Sequence, residues 1–135
     1  MIETYGPTIA SFGVIGGLLL FQLLVADVCG IVSGHTPGTG VPPDHDDKLF
    51  RATRAHANTN ESIGSFLAIA AFGIAVSAAP VWLNNLSLLY LAGRIGHMCY
   101  YYYADLRVLR SLFFGVSLLA LFGMLIAGWI SWFVM

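Results

Sequence analysis

Residues 9–32 read IASFGVIGGLLLFQLLVADVCGIV and contain one charged side chain, Asp27. About 20 apolar residues in a helix cross the hydrocarbon core of a bilayer, so this run is long enough to span it. The preceding segment, MIETYGPT, has no lysine or arginine, whereas a cleaved secretory signal begins with basic residues. We therefore expect a retained anchor. Three more apolar runs follow, at about 62–79, 81–103 and 112–134.

The composition agrees with a lipid-exposed surface. Hydrophobic residues make up 58% of the chain and charged residues 10%, against roughly 25% charged residues in soluble domains. A net charge of −1 argues against a nucleic-acid partner. The length of 135 residues predicts one domain, 1–135. Cys29 and Cys99 lie in apolar runs, so we expect free thiols and not a disulfide.

The connections between the runs predict an all-α, up-down-up-down four-helix bundle, because short turns between long helices make them antiparallel neighbours. Residues 33–47, rich in Gly, Pro and Asp, form the one long loop. The second run is short, and we expect its helix to extend upstream through LFRATRAHANTNE. Asp47 and Asp105 stand where they can cap the second and fourth helices.

The basic residues set the predicted orientation. All six lie after the first run, or within and just after the third: Lys48, Arg51, Arg54, Arg94, Arg107 and Arg110. With four spans, both groups fall on one side of the membrane, which the positive-inside rule makes cytoplasmic. Loop 33–47 is then cytoplasmic, and both termini are non-cytoplasmic in a multi-pass membrane protein.

Charged and polar residues inside spans are costly and usually face a cavity or a partner. Arg54, Asn58 and Glu61 have i, i+4, i+7 spacing and share one helix face. Arg94, His97 and Tyr101 likewise share a face of the third helix, and Arg110–Ser111 begin the fourth. These groups can line one pocket for an anion that also carries an ammonium, because arginine forks suit carboxylates.

The same residues can instead pair only with each other and hold the bundle together; Glu61, for example, can neutralise Arg94. Asp27 is interpreted as a structural partner for a cation on a neighbouring helix, and His56 as a packing residue. A metal site in the loop was weighed against a solvated acidic loop. Its donors fit no standard metal-ligand spacing, so no metal site is predicted. These donors are His35, Asp44, His45, Asp46 and Asp47.

At these residues the sequence resembles the MAPEG family, the membrane-associated proteins in eicosanoid and glutathione metabolism. Residues 54–61 match the second-helix pattern R-A-H-x-N-x-x-E. Residues 93–101 match G-R-x-x-H-x-x-x-Y, the third-helix pattern of the microsomal prostaglandin E synthase branch and its glutathione transferase relatives. Arg110–Ser111 stand at the same distance downstream as in that branch.

The resemblance implies a membrane four-helix bundle that assembles as a homotrimer, with glutathione bound between subunits near the cytoplasmic side. It implies that Arg54, Asn58 and Glu61 hold the peptide part of glutathione. Arg94, His97 and Tyr101 line the other wall. By the same resemblance, Arg110 stabilises the thiolate and Ser111 donates a hydrogen bond to it.

The resemblance further implies a glutathione transferase-like enzyme that acts on lipophilic electrophiles, with peroxidase use of the same thiolate. Two alternatives stay open: a glutathione-dependent isomerase of the prostaglandin-synthase kind, and a non-catalytic membrane protein that keeps the fold. The chain departs from the synthase pattern at Ala57, which replaces an arginine, and at Phe114, which replaces a tyrosine. An arginine after the first helix is also absent.

Overall fold

The computed structural model describes residues 1–103 and 106–134, and these ranges contain four α-helices and no strand. The helices are α1 (Ile2–Ser33), α2 (Lys48–Ala75), α3 (Pro80–Tyr103) and α4 (Arg107–Val134). Even α3, with 24 residues, is about 36 Å long at 1.5 Å per residue. That length exceeds the roughly 30 Å of a bilayer's hydrocarbon core. The prediction of an all-α protein with four helices is confirmed.

Consecutive helices run in opposite directions. The start of α1 meets the end of α2, where the Tyr5 hydroxyl donates to the carbonyl oxygen of Ala78 at 2.8 Å. The end of α1 meets the start of α2, at Gly30 and Leu49. Within the described ranges α1 packs on α2 and α3, and α4 packs on the same two helices but not on α1. The middle of the bundle is therefore formed by α2 and α3.

The helix boundaries differ in part from the predicted spans. As expected, α2 extends upstream and begins at Lys48, and the Asp47 carboxylate caps it by accepting from the Leu49 N–H at 2.9 Å. It ends at Ala75, four residues before the predicted end of the span. Two further helices begin earlier than their apolar runs, α1 at Ile2 and α4 at Arg107. The predicted cap Asp105 lies outside the described residues.

The early end of α2 comes from a tight helix-ending turn. Ser77 adopts a left-handed conformation with φ 54°, which costs a non-glycine residue about 1–2 kcal/mol. The Ala78 N–H donates to the Gly73 carbonyl at 2.8 Å and the Ser77 N–H to the Ile74 carbonyl at 3.2 Å, the pattern of a Schellman motif. Pro80 then opens α3, at the position where a helix tolerates a missing N–H.

Two of the helices, α1 and α4, are long and apolar enough to cross a membrane. In the most apolar windows of these helices only 22% and 28% of residues are buried. A core helix of a soluble protein would be mostly buried, so their outward faces need an apolar solvent. In contrast, α2 and α3 carry polar residues on faces turned towards their neighbours, which lowers their apolar character.

Neutral polar groups join α1 to α3 near the chain start; we call Tyr5, Thr8, Asn84 and Ser87 the Tyr5 clasp. The Asn84 amide donates to the Thr4 carbonyl at 2.9 Å and accepts from the Thr8 hydroxyl at 2.8 Å. These bonds lie beside Pro7, which supplies no N–H to the helix, and beside a kink at Tyr5. The clasp satisfies polar groups where α1 departs from regular helix.

Two smaller predictions have outcomes in the fold, and two glycines of α1 are exposed beside them. Cys29 and Cys99 are free and half-buried, as expected. Asp27 does not meet its predicted cation: it is exposed, and among the described residues its carboxylate makes no ion pair. Gly13 and Gly17 are exposed, and a Cβ at either position would meet nothing within 4 Å, so neither glycine packs inside this bundle.

Candidate functional site

Close packing of α3 on α4 builds the floor of the site. A Cβ at Gly93 would collide with the Ser117 hydroxyl and lie 2.9 Å from the Phe113 carbonyl oxygen. A Cβ at Gly96 would strike the Phe113 ring. Small residues at these positions let the two backbones approach each other. The approach brings Arg94, next to Gly93, against Ser117 of α4.

Arg94 is buried in the centre of the bundle, with 1% of its surface exposed. Its Nε donates to the Ser117 hydroxyl at 3.0 Å. Its NH1 donates to the Asn58 side-chain oxygen at 2.8 Å and to the Asn58 carbonyl at 3.3 Å. All these acceptors are neutral, so hydrogen bonds hold the guanidinium while its charge meets no carboxylate at ion-pair distance among the described residues.

Aromatic rings enclose the same guanidinium. The Cζ of Arg94 lies 5.2 Å from the centre of the Phe114 ring and 5.7 Å from that of Tyr90. Rings at this range attract a cation through their quadrupole and exclude water. Tyr90 itself shares a hydrogen bond with Ser62 at 2.8 Å and stacks on Phe66 at 4.4 Å. The enclosure therefore fixes Arg94 from three helices.

His97 stands one turn after Arg94 and is 3% exposed. Its ring centre lies 5.0 Å from Tyr101 and 6.2 Å from Phe114. Among the described residues, its buried Nδ1 atom meets no hydrogen-bond donor or acceptor.

Arg110, at the start of α4, contacts the third helix at Tyr101. Its Cζ is 4.3 Å from the centre of the Tyr101 ring. Its NH1 is 3.5 Å from Nδ1 of His45. The His45 ring packs edge-to-face on Phe50 at 5.0 Å and lies 6.4 Å from Tyr101 at an angle of 25°. The loop after α1 therefore reaches the site and contacts its most peripheral arginine.

Arg54 and Glu61 form the outer edge. Their side chains approach to 3.8 Å and are 42% and 63% exposed. An exposed pair at this distance contributes little to stability. The two residues are instead available at the surface of the bundle, on the same helix as the half-buried Asn58.

The structure brings together most of the predicted site residues. Asn58 contacts Arg94, Tyr101 contacts both His97 and Arg110, and Arg54 contacts Glu61. Glu61 is therefore the ion-pair partner of Arg54 and not of Arg94. Ser111 differs from the others: it is exposed, and none of the described contacts joins it to the cluster.

Sequence reasoning missed two members of the site. Ser117 follows Arg110 by seven residues and lies on the same face of α4, but a single hydroxyl in an apolar run has no pattern of its own. His45 was assigned to a solvated loop, and that assignment is wrong for this residue, which is half-buried against Phe50 and Tyr101. The position of one histidine in an irregular loop is not periodic and cannot be predicted from spacing.

We call Arg54, Arg94 and Arg110 the arginine cluster. Arg94 precedes His97 by one turn of α3, and the Tyr101 ring contacts both His97 and Arg110. Glu61 meets Arg54 of this cluster at 3.8 Å. The buried charge of Arg94 inside an apolar bundle is costly unless an anion joins it. The arrangement is therefore suited to binding an anion and to stabilising negative charge on an attacking atom.

Comparison with known proteins agrees with this geometry. The model of the MAPEG family matches residues 8–130, nearly the whole chain. No curated protein and no solved structure matches the chain. The family is a membrane four-helix bundle whose members typically use glutathione; it includes transferases, isomerases and some non-enzymatic proteins. The match includes every residue of the arginine cluster. The chain belongs to the MAPEG family.

Proposed function

We propose that this protein is a glutathione-dependent membrane enzyme that ionises the glutathione thiol and transfers the sulfur to lipophilic electrophiles. The observation that carries the proposal is Arg94, a buried guanidinium whose described hydrogen bonds all go to neutral groups. Glutathione carries two carboxylates and an ammonium. Its carboxylates match the excess guanidiniums, and its ammonium matches the exposed Glu61.

Arg110 is the residue proposed to act on the thiol. A free thiol has a pKa near 8.5, so only about 3% is ionised at pH 7. Lowering the pKa by two units leaves about three quarters ionised and takes roughly 2.7 kcal/mol. One guanidinium in a pocket of reduced dielectric can supply that much. Ser111 is proposed to assist with a hydrogen bond, which requires its exposed side chain to meet the ligand.

The chemistry then needs little from the protein beyond the thiolate. The thiol proton passes to solvent, and the sulfur electron pair forms a bond to the electrophilic carbon of the substrate. The leaving group departs with its bonding pair. In peroxidase use, two glutathiones are oxidised to the disulfide while a hydroperoxide is reduced to an alcohol and water. Lipophilic substrates reach the site from the bilayer around the apolar faces of the bundle.

Assembly as a homotrimer is part of the proposal. The edge formed by Arg54 and Glu61 is exposed in one subunit, and Phe114 beside the cluster is 39% exposed. A second copy of the chain placed there would cover the bound ligand, and the exposed Gly13 and Gly17 offer a flat contact position. Mass measurement in a mild detergent tests this; a monomer would remove the intersubunit site.

We also propose four membrane spans with the arginine cluster on the cytoplasmic side. All six basic residues then lie on that side, as the positive-inside rule requires. Reporter fusions after Pro43 and Asp105 should report the cytoplasm, and fusions at Pro80 and at the C-terminus the opposite side. A cytoplasmic signal at the C-terminus would break this topology.

One observation favours a second candidate, a non-catalytic protein that keeps the fold. Asn58 and Ser117 accept hydrogen bonds from Arg94 within the subunit, so these contacts need no ligand. Titration of the purified protein in detergent with glutathione separates the candidates. The enzyme should bind glutathione, form a conjugate with a model electrophile and reduce a hydroperoxide more slowly or not at all. Binding without turnover would favour the non-catalytic candidate, and absence of binding would contradict the proposal.

A further inference from the structure

His45 is the one residue of the loop between α1 and α2 that the described contacts join to the arginine cluster. Three elements meet at this point: the loop through His45, α3 through Tyr101 and α4 through Arg110. The family resemblance assigns no role to His45, and the surrounding sequence, PPDHDD, is an irregular acidic stretch.

The direction of the hydrogen bond follows from the chemistry of the two groups. A guanidinium has only donors and stays protonated in proteins. Nδ1 of His45, 3.5 Å from NH1 of Arg110, must therefore be the acceptor. The imidazole is then neutral, with its proton on Nε2. The distance is long for a hydrogen bond.

Two surfaces together restrict Arg110. The Cζ of Arg110 lies over the Tyr101 ring, 4.3 Å from its centre, and NH1 of Arg110 faces His45. Phe50 in turn holds the His45 ring by an edge-to-face contact at 5.0 Å. A long arginine side chain at the end of a helix otherwise samples many rotamers, and fixing it lowers the cost of presenting the charge to a ligand.

We propose that His45 is a positioning residue: its Nδ1 holds the guanidinium of Arg110 over Tyr101, in the orientation that stabilises the glutathione thiolate. The effect on the thiolate rests on the proposed function, but the contact between His45 and Arg110 can be tested without any ligand. It predicts that His45 affects ionisation of the bound thiol more than it affects binding of the peptide. The peptide is held by other residues, namely Arg54, Asn58, Glu61 and Arg94.

The test uses two substitutions of different character. His45→Phe keeps a ring of similar size against Phe50 and Tyr101 but removes the acceptor. His45→Asn places a carbonyl oxygen near the position of Nδ1 and restores the acceptor. His35→Phe is the matched control, because it makes the same chemical change in the same loop at a histidine that contacts Thr39.

Thiolate absorbance near the ultraviolet edge and glutathione affinity are measured for each protein in detergent. His45→Phe should lower the ratio of thiolate to thiol about fivefold to tenfold, the effect of one hydrogen bond of ordinary strength, with affinity within about threefold of the starting protein. His45→Asn should recover most of the thiolate signal, and His35→Phe should leave it unchanged. An unchanged ratio in His45→Phe, or an equal loss in His45→Asn, would overturn the proposal.

A second measurement separates this inference from the proposed function. Nitrogen-15 NMR of the ligand-free protein should show His45 as the neutral tautomer with its proton on Nε2, and Arg110→Ala should abolish that preference. If the protein binds no glutathione, the proposed function fails and the NMR result alone decides the contact. A proton on Nδ1 of His45 would overturn the inference whatever the glutathione result.

Discussion

At the Tyr5 clasp, α1 meets α3 through neutral groups that satisfy one another, whereas the arginine cluster buries the guanidinium of Arg94 among neutral acceptors. The clasp joins hydroxyls, amides and carbonyls at 2.8–3.3 Å. Among the described residues, the buried Nδ1 of His97 meets no hydrogen-bond donor or acceptor. Both regions put polar side chains inside an apolar bundle, but of these two regions only the cluster contains a buried charge.

The contrast gives a rule for separating structural from functional polarity in this protein. A network of neutral polar groups whose hydrogen bonds are all made stabilises the fold modestly and needs no ligand to complete it. A buried charge without a countercharge lowers the stability of the fold. Such a residue is expected where ligand binding requires the charge. Changes in the clasp should therefore affect stability alone, and changes in the cluster should affect glutathione before they affect stability.

The largest expected effect comes from Arg94→Met, which keeps length and apolar volume but removes the charge. Glutathione affinity should fall by at least about 100-fold, as when one partner of a desolvated charge pair is lost. The thermal midpoint should change little, since a buried charge without a countercharge often stabilises no more than an apolar side chain. Isothermal titration and thermal denaturation in the same detergent measure both. If Arg94→Met strongly lowers the thermal midpoint but leaves glutathione binding intact, Arg94 is a structural residue and not a binding residue.

The next effect is expected at the exposed edge. Arg54→Ala should weaken glutathione binding by about 2 kcal/mol, roughly thirtyfold, if the ligand desolvates the guanidinium. Stability should stay within about 0.5 kcal/mol, because the Arg54–Glu61 pair is exposed. Glu61→Gln, which changes charge with little change of shape, should weaken binding less. If both variants bind glutathione with the affinity of the unchanged protein, Arg54 and Glu61 are not part of the glutathione site.

The smallest effect is expected in the clasp. Tyr5→Phe removes the bond to the Ala78 carbonyl and should lower stability by about 1 kcal/mol, the value of one neutral hydrogen bond. Glutathione affinity and turnover should be unchanged, because the clasp lies at the opposite end of α3 from Arg110. Chemical unfolding in detergent measures the loss of stability, and a turnover assay checks that activity is unchanged. A loss of glutathione affinity in Tyr5→Phe would show that the clasp and the arginine cluster are coupled.

Much of the fold follows from the sequence because apolar length and turn chemistry are local signals. The four helices, the upstream extension of α2 and the Asp47 cap are confirmed. The end of α2 at Ala75 is not predictable in the same way, because it depends on Ser77 adopting a left-handed conformation that its residue type disfavours. The start of α4 at Arg107 lies ahead of its apolar run, in agreement with a helix that begins just after Asp105.

Site residues on the same helix were predictable, because their spacing shows that they share one helix face. Asn58 follows Arg54 by one turn, and Tyr101 follows His97 by one turn, and the structure keeps each pair near the cluster. The contacts between elements were not predictable: Arg94 to Ser117 depends on how closely Gly93 lets α4 approach, and Arg110 to His45 depends on the path of an irregular loop. Asp27, given a cation partner from charge alone, lies exposed because its helix face points away from the bundle.

The central claim is that Arg110 stabilises a glutathione thiolate in this protein. Arg110→Ala is compared with Arg107→Ala, which removes an exposed arginine three residues earlier on the same helix. The account predicts that both variants bind glutathione, that Arg107→Ala keeps the ultraviolet thiolate signal, and that Arg110→Ala binds glutathione as the thiol and loses turnover. If Arg110→Ala retains both the thiolate signal and turnover, Arg110 is an interfacial anchor and the account is contradicted.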